Sequence, residues 1–150
     1  MLEHRSGGEI RNVPAKHADK YARWRRLLNT YDANAEAATC QAINLYVDNW
    51  LRDNGAKAGA AFSSSWIPGS NWEGTVYQPI HEAILESFDA NPEAQSLAFD
   101  ESRFFFGLIV IDVMSHRDQG NWICWHEPHP HDIEPLGMFY RPKQERHEAA

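Results

Sequence analysis

The chain has 150 residues, 43% hydrophobic and 23% charged, with a formal net charge of −7. That length suits one domain able to bury its own core, and the composition is that of an ordinary soluble globular protein with a modest excess of tryptophan. No apolar run approaches the ~18 residues that cross a bilayer, since the longest, 104–111, has only the length of a strand. The first residues lack the apolar core of a signal peptide, and Cys40 and Cys124 stand far apart, so two buried thiols in a reducing cytoplasm are expected. Residues 1–26 hold seven Lys/Arg against three acids, a surplus of four, which leaves the rest of the chain at −11. An acidic body repels phosphate and argues against a nucleic-acid partner; the basic first helix has its own acidic body, or a second subunit, to lie against.

Residues 1–12 are polar and patternless and are expected to be mobile. Pro14 then suits a first helical turn, and Tyr21, Trp24, Leu27, Leu28 and Tyr31 recur at helical steps of three and four. Asp32-Ala33-Asn34 breaks that pattern, and Ile43, Tyr46, Val47, Trp50 and Leu51 stripe a second helix that stops at Asn54-Gly55. Together they form a helical hairpin. Alternation of Ala60, Phe62, Ser64 and Trp66 predicts a strand over 59–67, ended by Pro68-Gly69-Ser70-Asn71. Pro79, Ile80, Ile84, Leu85 and Phe88 predict a third helix near 76–89, closed at Asn91-Pro92. Residues 93–100 fit a short helix or a loop equally well. The run 103–115 is rich in Phe, Ile and Val at both parities and reads as a central strand. Asp118-Gln119-Gly120-Asn121 turns it into a returning strand over 121–127, and 136–140 supplies the last strand. Residues 141–150 read as a loose tail. The fold class is α+β: a helical hairpin and a third helix packed on an antiparallel sheet of about four strands.

Mechanistic signatures are missing: there is no phosphate loop, dinucleotide fingerprint, nucleophile elbow, HExxH or CxxC, and no motif of a known family. Three constellations remain. With Gln119-Gly120 as the tip, paired residue numbers sum to 239, so Asp112 opposes Glu127; carboxylates so placed share a proton or a cation, as acid/base chemistry requires. His126, His129 and His131, with an oxygen from Asp132 or Glu127 and a sulfur from Cys124, offer ligands of the type that transition metals favour, but without a recognised zinc spacing. Trp66, Trp72, Tyr77, Trp122 and Trp125 lie on the sheet and beside the third helix, where tryptophans line pockets for planar or cationic ligands. Trp72 is singled out because it sits in a Pro/Gly/Ser-rich loop that no core stripe claims.

The reading that follows is a small soluble binding or interaction domain with an aromatic-lined ligand pocket near Trp72, no cofactor, and self-association as a homodimer. The alternative is a small hydrolase using Asp112, Glu127 and the histidine cluster, with or without a metal. Which ligand is bound, and in what order the strands pair, is not legible in the residues.

Overall fold

The computed structural model describes residues 1–88, 91–127 and 132–143. The two N-terminal helices form as their stripes require. Helix α1, Ala18–Tyr31, follows a short 3-10 turn at Ala15–His17 and buries Tyr21, Trp24 and Leu28. Helix α2, Ala35–Asn54, buries Ala35, Thr39, Ile43, Val47 and Trp50, one line of positions three or four apart. Helix α3, Gln78–Leu85, carries Pro79 in its first turn and buries Ile80, Ala83 and Ile84.

The centre of the molecule differs from expectation. Residues 103–115, read as a strand, lie inside the 25-residue helix α4, Pro92–His116. Asn91-Pro92 opens this helix; the Asn91 side chain accepts the Ala94 amide at 2.8 Å and Pro92 occupies the first turn. Every residue from Phe105 to Ile111 is buried, so the helix has no solvent face there and its sequence is apolar at every parity. A helix covered on all sides shows no 3.6-residue stripe, and over eight residues its composition matches that of a buried strand.

Five strands form the sheet: β1, Leu2–His4; β2, Glu9–Ile10; β3, Phe62–Ser63; β4, Trp122–His126; and β5, Met138–Pro142. Their order is β2-β1-β4-β5-β3. The sheet is mixed, because β1 runs parallel to β4 while every other neighbouring pair is antiparallel. Residues 1–12, expected to be a mobile start, thus supply two strands. Leu2 is wholly buried, and β1 covers the edge of β4 that the sequence left open. The expected strand at 59–67 shortens to Phe62–Ser63, because the Ser63 side chain accepts the Ser65 amide and a 3-10 turn follows at Ser64–Trp66. The expected strands at 121–127 and 136–140 form as β4 and β5, but β4 returns from a helix and pairs with β5, Cys124 opposite Tyr140. Residues 144–150 of the expected loose tail lie outside the described residues.

The helices cover one face of the sheet. Phe62 stacks on Tyr140 at 5.5 Å and meets Trp122, Trp50 and Tyr46 edge-on or tilted, which ties β3, β4 and β5 to α2. Trp24 and Tyr21 of α1 pack on Phe105 of α4. One apolar cluster runs through all four helices and all five strands. The basic first helix is held by acids of its own chain, through Lys20 to Glu101 and Arg25 to Glu36, with Lys16 to Glu134 just before it. Among the described residues no helix is long and apolar enough to cross a membrane.

Candidate functional site

Three segments meet at the end of the sheet nearest β3: the loop 64–72, one face of α4, and residues 135–137. Phe99, Arg103 and Phe106 follow one another by four and three residues, so helical geometry brings them to a single face. Gly107 on the next position lets that face close against the neighbouring segment. A Cβ there would lie 2.2 Å from the Pro135 carbonyl oxygen, nearer than any side chain tolerates. The Ser64 hydroxyl donates to the same carbonyl at 3.5 Å. On the loop side, Gly69 takes φ +70°, a left-handed turn that glycine adopts without penalty, and its carbonyl accepts the Trp72 indole N–H at 3.0 Å. Trp72, 3% exposed, is wedged edge-on between Phe99 at 5.4 Å and Phe106 at 5.8 Å.

These groups enclose a cavity of about 380 Å³ that opens to solvent. Its walls include Trp66, Trp72, Phe99, Phe106, Leu136 and Arg103. Trp66 is 56% exposed and leans edge-on against Phe139, forming the rim. The cavity size lies at the small end of the range for ligand pockets, which are apolar with a few polar groups at fixed places.

Of the five aromatic candidates, Trp66 and Trp72 line the cavity. Tyr77 stands behind it, edge-on to Phe106 at 5.1 Å. Trp122 faces the helices and belongs to the core with Trp50 and Phe62. Trp125 lies on the other face of the sheet, stacked on Phe139 at 5.7 Å beneath the Arg5 guanidinium at 3.7 Å. Phe99, Arg103 and Phe106 are the wall residues that a strand reading of 103–115 hides. Their i, i+4, i+7 spacing is the signal that finds them once the segment is helical.

The carboxylates do not pair. The 239 register has no counterpart, since Asp112 sits on α4 and Glu127 follows β4. Asp112 accepts the Tyr21 hydroxyl at 2.7 Å on one oxygen and faces His116 Nδ1 at 3.0 Å with the other. Glu127 accepts the Trp125 indole N–H at 3.3 Å. Asp112 borders a second, more open cleft of about 490 Å³ with Cys40, Asn44, Asp48, His116 and Arg117. There the Arg117 guanidinium is tied to Asn44 and Asp48. Burial, with Glu36 and Asp112 nearby, pushes the Cys40 thiol above its ordinary range, and a thiol so shifted is a poor nucleophile. Burial and the Asp112 carboxylate likewise push the Tyr21 phenol up. Most charged groups of this cleft therefore have partners, although the buried Arg117 Nε has none among the described residues. His126 is half-buried, and its Nδ1 has no partner among the described residues, while His129 and His131 lie outside them. Among the described residues no group of three His, Cys, Asp or Glu side chains is arranged to hold a metal.

No protein-family model, curated protein or solved structure matches the chain.

Proposed function

We propose that the protein is a small-molecule binding domain whose ligand enters the cavity between the 64–72 loop, α4 and residues 135–137. The observation that carries this reading is the convergence of Trp66, Trp72, Phe99 and Phe106 on one open cavity from two elements distant in sequence. An aromatic wall of this kind favours a planar, largely apolar ligand. The hydrolytic alternative draws no support from the arrangement of Asp112 and Glu127, whose carboxylates have separate partners.

Thermal-shift screening of small aromatic compounds tests the reading, since a ligand bound only by the folded state raises its stability by about 2.7 kcal/mol at a hundred times its dissociation constant. Ser70 is an exposed residue on the cavity wall, so Ser70→Trp obstructs the cavity without touching the core. Trp66→Ala removes the rim. Stabilising compounds are expected to lose their effect in both variants. Compounds that stabilise wild type and both variants equally would refute the site.

A further inference from the structure

Resting on that cavity reading, we infer that its ligand is an anion, a small aromatic carboxylate, and that Arg103 is the residue that recognises the charge. Among the described residues Arg103 is the one charged residue on the cavity wall, and no Asp or Glu lines it. Its guanidinium forms no hydrogen bond or ion pair with another described residue, although the chain is acidic overall at −7 and has many carboxylates to offer. Lys20, on the neighbouring helix α1, reaches Glu101 of α4, two positions before Arg103. Asp100, one turn earlier on α4 than Arg103, is not among the wall residues.

Arg103 is an exposed residue on the cavity wall, with no partner among the described residues to hold its guanidinium elsewhere. It stands between Phe99 and Phe106 on the same helical face, so a ring lying against those two side chains and Trp72 places its substituent within reach of the arginine. Guanidinium is planar and presents paired N–H groups that match a carboxylate, which is why arginine serves at such sites. The exposed Ser70 hydroxyl on the loop adds a neutral donor. A cationic ligand meets the opposite arrangement: among the described residues it would face Arg103 and no acid. The acidic body opposes any anion at long range, so discrimination comes from this short-range contact and not from steering.

Isothermal titration with three probes of one shape separates the parts of the argument: 1-naphthoate, 1-naphthalenemethanol and 1-naphthylmethylammonium, against wild type, Arg103→Gln, Arg103→Lys and Ser70→Trp. A charge-assisted hydrogen bond corresponds to about tenfold or more in affinity. Naphthoate is therefore expected to bind wild type at least about tenfold more tightly than the alcohol, with the ammonium weakest. Arg103→Gln is expected to shrink the naphthoate-to-alcohol preference to about twofold or less, read as a ratio within that variant, and Arg103→Lys to keep part of it. Ser70→Trp is expected to weaken both. Equal affinity for naphthoate and alcohol, or a preference that survives Arg103→Gln, overturns the recognition of charge and leaves the cavity reading standing. Absence of binding by both probes, or binding indifferent to Ser70→Trp, overturns both.

Discussion

Cys124 and Cys40 differ in surroundings more than in chemistry. Cys124 is wholly buried on β4, opposite Tyr140, and burial pushes its thiol up to about 12. Cys40 is half-buried at the edge of the polar cleft. Thiolate is the reactive form, so iodoacetamide at pH 8 is expected to modify Cys40 slowly and Cys124 only after denaturation, as read by mass spectrometry. Modification of Cys124 at the rate of Cys40 would contradict its placement. The same burial predicts alkaline sensitivity. The folded thiol holds its proton to about 12 while the unfolded one releases it near 9, so this contribution to stability is complete below pH 9 and is lost as pH rises toward 12. The buried phenols of Tyr21, Tyr77 and Tyr140 are also pushed up, and they add to the loss above about pH 10. Urea midpoints from pH 8 to 11 are expected to fall; a flat profile would reject the assignment.

Helix α4 is where fold and site were hardest to read. Its start was visible as Asn91-Pro92, but the same dipeptide ends one helix as naturally as it opens another. Its middle lacked a polar face because α1, α2 and α3, the turn at Ser64–Trp66 and the Pro135 segment cover it from different sides. By contrast, α1 and α2 each expose one face and β5 alternates, so their stripe or alternation was legible, while β4, buried from Trp122 to Trp125, was marked by the turn before it. Trp72 was legible for a different reason: a large apolar side chain in a turn-rich loop needs a partner outside that loop. Its partners Phe99 and Phe106 were hidden with the helix, and Arg103 with them. The helical assignment carries its own tests. Asn91→Ala removes the cap and is expected to cost about 1 kcal/mol. Gly107→Ala forces the Pro135 carbonyl away from α4, and overpacking of this kind costs roughly 1–3 kcal/mol. A Gly107→Ala variant as stable as wild type would mean that α4 and residues 135–137 are not in contact.

At the scale of the whole molecule, the features that suggested a second subunit are met within one chain. Trp24, Trp50, Trp72, Trp122 and Trp125 are each at most 9% exposed, and Trp66 alone is open. Lys16, Lys20 and Arg25 find carboxylates on their own chain. The proposal of a homodimer then rests on the Trp66 surface, which is also the rim of the cavity, and light scattering at micromolar concentration reads it directly. What closes the fold is the N-terminal strand pair. Strand β1 aligns Leu2 with Trp122 and His4 with Cys124, and the Arg5 amide donates to the Cys124 carbonyl at 2.9 Å. Leu2 points into the core at 0% exposure, whereas its neighbour Glu3 reaches Lys143 at 3.1 Å near the surface. The two positions therefore separate packing from charge within one strand. Leu2→Ala leaves a core cavity and is expected to cost about 2–5 kcal/mol. Glu3→Ala breaks a partly exposed ion pair and is expected to cost about 1 kcal/mol or less. Urea denaturation of both variants decides: a Leu2→Ala loss no larger than that of Glu3→Ala would mean that β1 is an appendage and that β4 forms the edge of the sheet.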